Sequence, residues 1–335
     1  MEQIISVLII ILAGIFQGSF ILPMTLVKGW KWENSWLLFS FAGMIILNFL
    51  LATIFVRELS HVYAAVPGRD FALPALFGFG WGIGAVLFGI GMDKLGMALG
   101  YPIIMGLTAS MGALLPLFIL HSGDILKPSG LILIAGVIIA VAGIILCSKA
   151  ATMKAGNAAE KQAKERLSGG IIIAVAAGLL SSLPNIGFTF GSAIAQAATD
   201  SGTSPAMAGN AVWALFFSVG FIPNMLYTIF LMIKNRTLRL MISAFNIRNA
   251  GLGLLMAVLW IGSFYLYGYS SYNLGNLGNI VGWPLFISLS IVAGNLWGIW
   301  RGEWRSSSEK AKTKLNTGLV VLVVAMILFG ISNLF

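Results

Sequence analysis

The sequence predicts an all-α polytopic membrane protein with ten transmembrane helices, arranged as two inverted five-helix repeats. Three observations carry that expectation. Long apolar stretches fill most of the chain, charged residues are scarce, and the basic residues are distributed unevenly among the connectors. Of the 335 residues, 59% are hydrophobic and only 9% are Asp, Glu, Lys or Arg, where a soluble domain carries about 25% charge. A helix needs about 20 apolar residues to cross a hydrocarbon core. Runs such as Leu131 to Leu146 show no alternation of apolar and polar positions, which argues against a barrel of strands.

The elements follow in order. Span one, 4–27, ends at Lys28 and contains Pro23. It lacks a basic segment before it and is long enough to cross, so it is expected to be retained rather than cleaved as a signal. Span two, 35–56, stops at Arg57, and span three, 72–92, stops at Asp93-Lys94. Span four, 97–120, ends at His121. Span five, 130–148, lies between Lys127 and Lys149 and is almost wholly apolar, as is span ten, 316–335. These two are expected at the lipid-facing periphery. Span six, 169–197, contains Pro184. Spans seven, eight and nine, 207–233, 250–270 and 277–300, carry amides and aromatic residues inside apolar surroundings.

The net charge of +9 is a matter of sidedness, not of nucleic-acid binding. Of the 20 Lys and Arg residues, 17 fall in odd-numbered connectors and three in even-numbered ones. Basic loops stay cytoplasmic, so both termini are expected in the periplasm of an inner-membrane protein. The lone Cys147 excludes an intrachain disulfide and reads as a packing residue.

The basic connector 149–168 divides the chain into a first repeat, 1–148, and a second, 169–335. Five spans per half turn the second half upside down, the inverted arrangement of many secondary transporters. Traces of the repeat remain. Trp81 and Gly89 are spaced like Trp260 and Gly268, Leu95-Gly96 matches Leu274-Gly275, and Gly100-Tyr101-Pro102 matches Gly282-Trp283-Pro284. Of the 40 glycines, Gly78, Gly80, Gly82, Gly84, Gly89, Gly91, Gly96 and Gly100 crowd spans three and four, where small residues let backbones approach closely.

The 11 carboxylates and both histidines lie at span ends or in connectors. A buried ionisable group usually marks an ion path. Without one, a cationic-drug exporter that exchanges protons at a membrane carboxylate is disfavoured. No metal-ligand cluster, catalytic pair or cofactor motif is present, so an enzyme is also disfavoured. The polar residues inside the spans are neutral. Gln17, Trp81, Tyr101, Asn185, Asn210, Trp213, Tyr265, Asn279 and Trp283 form a candidate substrate-binding set. Amides donate to and accept from hydroxyls, and aromatic faces suit the C–H face of a sugar ring. Each also has a plainer reading as an interhelical bond or packing residue. Asp93, at the turn after span three, is the candidate for proton coupling or gating. Trp30, Trp32, Trp36, Trp297, Trp300 and Trp304 flank basic ends and read as an interfacial belt.

The run Phe79-Gly80-Trp81-Gly82-Ile83-Gly84, with Gly89, Met92, Leu95-Gly96-Met97 and Gly100, resembles the bacterial L-rhamnose–proton symporters of the drug/metabolite transporter superfamily. So do Ala177-Gly178-Leu179-Leu180-Ser181-Ser182 and the stretch from Trp283 through Gly294 to Glu303-Trp304. The resemblance implies sugar uptake by alternating access, coupled to protons, with a central site between the halves. It also implies an acidic residue shortly before the tryptophan of span nine, where this chain has Asn279. The expected partners are a small neutral sugar, rhamnose first or a related deoxyhexose, then protons and the lipid bilayer. The sequence is equally compatible with a monomer and a homo-oligomer. The alternatives are a carrier of another polar metabolite, such as a nucleoside or amino acid, without proton coupling, and a membrane-embedded ligand sensor.

The charge asymmetry has a direct test. A tag inserted between Lys149 and Arg166 is expected to be shielded from impermeant reagents in intact cells, and one after Phe335 is expected to react. A shielded C-terminal tag would overturn the orientation.

Overall fold

The computed structural model describes residues 2–155, 167–243, 246–275, 278–302 and 304–332. Among them the regular structure is entirely helical. Ten helices among the described residues are long and apolar enough to cross a membrane: Ile4–Leu26, Trp32–Phe55, Gly68–Met92, Ile103–Leu120, Pro128–Lys154, Gly169–Asp200, Pro205–Lys234, Ile247–Asn273, Gly278–Trp300 and Glu309–Ser332. The tenth starts earlier than its apolar run because its first turns are polar and exposed. Glu309 stands in its first turn and pairs with Lys312 at 2.8 Å, a placement favoured by the helix dipole and by i,i+3 proximity.

Several spans are interrupted. Span one is an α-helix over Glu2–Ser19, then a 3₁₀ turn over Leu22–Leu26. Pro23 cannot donate to the ladder of the first helix but fits the opening turn of the second. Span two contains a π-helical stretch, Phe41–Leu47. Span six is three pieces, Leu167–Ser181, Leu183–Phe190 and Ser192–Asp200, with Pro184 in the middle piece. Spans seven and nine enclose Pro223 and Pro284.

Helical backbone runs without a break from Gly68 to Leu120. This stretch is nevertheless two spans. A Cβ placed on Gly91 would lie 3.4 Å from Ile104 Cδ1, whereas a straight helix would separate the two residues by roughly 20 Å. Leu87, Phe88, Met92 and Ile103 pack together against Ile104, Ala174 and Ala177. The chain therefore doubles back between Met92 and Ile103, where the sequence places a connector.

The chain divides into two compact units that cut across its linear order. Unit 1 comprises Met1–Ile83 and Gly187–Asn273, and unit 2 comprises Gly84–Ile186 and Leu274–Phe335. In unit 1, span one packs on span eight, and span two on spans seven and eight. Gly78 and Gly82 of span three lie directly against the backbone carbonyls of Phe216 and Gly220 in span seven. In unit 2, spans five and ten pair along their lengths. Phe329 and Leu322 fit against Gly136 and Gly143, Cys147 against Gly318, and Ser332 Oγ donates to the Ser129 carbonyl at 2.7 Å. Cys147 is thus a buried packing residue. The outer faces of this pair expose Leu131, Ile138, Val320 and Ile327, consistent with contact to lipid. Most of the basic connector, 156–166, lies outside the described residues.

The glycines of span three give a paired test. A methyl at Gly78 would meet a backbone carbonyl that no side-chain rotation can move. Gly78→Ala is expected to cost about 1–3 kcal/mol, the usual penalty of overpacking. Gly89 has nothing within 4 Å of such a methyl, so Gly89→Ala is expected to leave thermal unfolding in detergent unchanged or slightly raised. Equal Tm values for the two variants would contradict the packing.

Candidate functional site

Unit 1 holds five of the sequence-predicted residues, two of them in an aromatic cluster. Trp81 stacks on Trp260, with centroids 5.8 Å apart and planes at 21°, and meets Phe217 edge-on at 5.2 Å. Trp213 is fully buried. Its indole lies between two phenyl rings, Phe188 at 4.4 Å and 11° and Phe217 at 5.2 Å and 14°. Phe264 closes the cluster edge-on at 5.4 Å from Trp213. Helix spacing explains part of this. Trp213 and Phe217 are four residues apart on span seven, as are Trp260 and Phe264 on span eight, so each pair shares a helix face.

Polar groups surround the cluster. Ser263 Oγ donates to Gln17 Oε1 at 2.8 Å. Tyr265 donates its hydroxyl to Asn48, with the carbonyl oxygen at 2.8 Å and Oδ1 at 3.0 Å. The Asn48 amide donates in turn to the carbonyls of Trp213 at 3.0 Å, Met44 at 3.2 Å and Ala214 at 3.3 Å. Asn48 is completely buried and ties spans two, seven and eight together. It follows the π-helical stretch, a feature that often marks functional sites. The Asn210 amide reaches only the Met207 sulfur, at 3.6 Å.

Unit 2 brings together three more. Asn185 donates to the Gly112 carbonyl at 2.7 Å and to the Asn279 carbonyl at 2.9 Å. Trp283 donates its indole N–H to the Thr108 carbonyl at 2.9 Å, with its ring seated directly on Gly112. Asn185 and Trp283 are both essentially inaccessible. In this state they fasten spans four, six and nine to one another. Tyr101 and Asp93 lie on helical backbone, but their side chains fall outside the described residues.

Three features escaped the sequence reading. Asn48 is one. Another is Glu33, a carboxylate with 5% exposure at the start of span two. It accepts from Thr237 Oγ1 at 2.7 Å and Asn235 Nδ2 at 3.0 Å, pinning the first connector to the seventh. The third is an open hollow of about 640 Å³ in unit 1, lined by Glu58, His61, Val66, Asp70, Gln196 and Asp200 among others. These side chains come from the second and sixth connectors and their helix ends. Glu58 sits there at φ 49°, uncommon for a residue with a side chain. Glu58, Asp70 and Asp200 come from two connectors far apart in the chain and give no local motif. Three expected belt residues, Trp30, Trp36 and Trp304, are packed more deeply than a belt requires, and Trp30 is buried. Trp36 Nε1 donates to Asn224 Oδ1 at 3.4 Å, and Trp304 is buried under Lys154 Nζ at 4.9 Å. Among the described residues, no group of three or more His, Cys, Asp or Glu side chains is placed to hold a metal ion.

The geometry distinguishes Trp283 from Trp297. Trp283→Ala would empty a fully packed position and remove the indole bond to the Thr108 carbonyl, and is expected to cost about 3–5 kcal/mol of stability. Trp297→Ala, in a ring pair with the exposed Trp300, is expected to lower stability by less than about 2 kcal/mol, within the common range for single substitutions. Thermal unfolding in detergent compares the two, and similar losses would contradict the assignment of Trp283 to the core.

The chain matches the model of the family described as L-rhamnose-proton symport protein (RhaT) over residues 1–333. Proteins named L-rhamnose-proton symporter from Escherichia coli O1:K1 / APEC, Shigella sonnei (strain Ss046) and Shigella flexneri are each 25% identical over 322 residues, covering 94% of both chains. Ten apolar helices and a match of that length make this a multi-pass membrane transporter rather than an enzyme. The chain belongs to the L-rhamnose-proton symport protein family.

Proposed function

We propose that this protein imports L-rhamnose, or a closely related deoxyhexose, across the bacterial inner membrane together with protons, by alternating access. The observation that carries this reading is the family match from residue 1 to residue 333. The chemistry of the spans agrees with it. The membrane-embedded residues offer flat aromatic faces and neutral hydrogen-bonding groups, and no span holds a carboxylate at its middle. Such surroundings suit an uncharged polyol ring. The candidate binding residues are Trp81, Trp213, Tyr265, Gln17 and Asn210 in unit 1, and Asn185, Asn279, Trp283 and Tyr101 in unit 2.

The proposal includes a drug/metabolite transporter architecture, with 1–148 and 169–335 as inverted repeats and both termini periplasmic. The packing within the units supports the repeat. If spans one to five correspond to six to ten, every packed pair should have a counterpart. Span five packs on ten and span two on seven, each its own counterpart. Span one packs on eight, and span three correspondingly on six, through Gly84 against Leu180. Span three packs on seven through Gly78 and Gly82, and span eight on two through Gly253 against Leu38.

Coupling requires a group whose protonation differs between states, since a ligand shifts an equilibrium only through differential affinity. Glu33 is held by Asn235 and Thr237, Asp124 by Lys127, Asp200 by Gln196 and Glu309 by Lys312. The Lys127 ammonium also holds the Asp124 carboxyl below its ordinary range, which keeps it ionised and unsuited to carrying a proton near neutral pH. Asp93, at the turn between spans three and four, is the coupling candidate.

Proteoliposomes test both parts. Wild-type protein is expected to show L-rhamnose counterflow, and to accumulate the sugar when the outside is acidified. In Asp93→Asn, counterflow is expected to persist while accumulation is lost. Absence of counterflow in the wild type would sink the transport reading. Undiminished accumulation in the variant would remove Asp93 from the coupling step.

A further inference from the structure

Trp213 is placed like a binding residue whose ligand position is already occupied. Its indole N–H is completely buried and has no hydrogen-bond partner among the described residues. An indole N–H hidden from water normally finds an acceptor, and leaving one unpaired costs about 1–3 kcal/mol. The flat face of the same indole is covered by Phe188, near-parallel at 4.4 Å. That ring sits in a notch made by two glycines. A Cβ on Gly209 would lie 2.7 Å from the Phe188 ring, and one on Gly268 would lie 2.8 Å from Trp213 Nε1 and 3.4 Å from Phe188 Cζ. The notch is therefore just large enough for one six-membered ring against the indole, beside a donor that has nothing to donate to.

Phe188 is also carried by a short, separate piece of helix. It belongs to the short helix Leu183–Phe190, bounded by the breaks at Ser182 and Gly191. It is only half-buried. It packs against a buried apolar cluster that includes Val66 and Val212, and Ala193 and Ala197 pack against the same cluster. Val66, Ala193 and Ala197 also line the 640 Å³ hollow. The cluster that Phe188 packs against thus borders the hollow, while Phe188 itself stacks on Trp213.

We propose that Phe188 is a side-chain plug occupying a ring-binding site formed by Trp213, Gly209 and Gly268, and that a hexopyranose reaching it from the hollow displaces the phenyl ring. The sugar would take over the stacking face, and one of its hydroxyls would accept from Trp213 Nε1. This rests on the sugar-transport reading and adds to it a specific subsite and a gate. Trp213 is the binding residue and Phe188 the gating one. The plug reduces apparent affinity, because only the fraction of molecules with the ring displaced can bind.

The test combines sugar binding with a signal that does not depend on sugar. Indole ¹⁵N–¹H spectra of the purified protein in nanodiscs should contain signals from its ten tryptophans, and the one lost in Trp213→Phe identifies Trp213. In wild type this signal is expected to exchange slowly with solvent and to move downfield when L-rhamnose is added. In Phe188→Ala it is expected to exchange quickly, with L-rhamnose Kd lowered about three- to tenfold, the factor that loss of one aromatic pair corresponds to. Phe188→Leu, which disturbs packing less, should fall between the two. Trp213→Phe keeps the ring stack but loses the donor, and should bind about three- to tenfold more weakly. Unshifted signals from the other indoles verify folding of each variant. If Phe188→Ala changes neither Kd nor the exchange of the Trp213 signal, the plug is disproved. If rhamnose binds wild type without moving that signal, the subsite is disproved. If no variant binds rhamnose but Phe188→Ala exposes the Trp213 N–H to water, the plug stands and the rhamnose reading falls.

Discussion

Inside a bilayer, polar groups have no water to bond, and that constraint orders most of what is seen here. Each buried amide must find a partner in the protein or leave its donor stranded. Asn48 bonds three backbone carbonyls, Asn185 two, and Asn224 returns a bond to the Gly220 carbonyl at 3.1 Å beside Pro223. These residues stand at irregular points of their helices: after the π-helical stretch, after Pro184 and after Pro223. The asparagine at each point bonds backbone carbonyls of its own preceding turn, as at Met44 and Gly220, or of another span, as at Trp213, Ala214 and Gly112. The same amides clamp one span to the next. Kinks that could otherwise weaken a helix become its points of attachment.

The second constraint is proximity. Without a hydrophobic driving force between helices, association depends on close packing. Gly78 and Gly82 set span three against the carbonyls of span seven, and Gly112 receives the Trp283 indole. A methyl group at any of these three positions would collide with its neighbour. A methyl group at Gly89 or Gly251 would meet no neighbouring atom within 4 Å. The abundance of glycine is therefore not one signal. Some positions define contacts and others are free of them, and composition does not tell these apart.

This division explains how much was legible in the sequence. The ten spans were visible because apolar length is a local property. Cys147 as packing and the exposed faces of spans five and ten followed from the same pattern. Asn185, Asn279 and Trp283 stood among nine candidate binding residues, and in this state the Asn185 amide and the Trp283 N–H bond carbonyls of other spans. Asn48 was missed because its importance lies in carbonyls 165 and 166 residues away. Phe188 was missed because one phenylalanine among 22 in an apolar chain carries no local mark. Its distinction is purely spatial, a ring laid on an indole whose N–H is unspent.

The contrast between amide clamps and aromatic stacks indicates which contacts can change during a transport cycle. Breaking an amide–carbonyl bond in lipid strands a donor and an acceptor, and both must be satisfied elsewhere. Separating two aromatic rings strands nothing polar, and a sugar ring can take the vacated face. The middle piece of span six carries both kinds of contact. Asn185 is fastened within unit 2, while Phe188, three residues on, stacks within unit 1, and the chain passes from one unit to the other at Ile186–Gly187. A rearrangement that preserves the Asn185 bonds and releases the Phe188 stack has the lower cost. The end of Leu183–Phe190 next to the break at Gly191 is therefore the part of span six best suited to move.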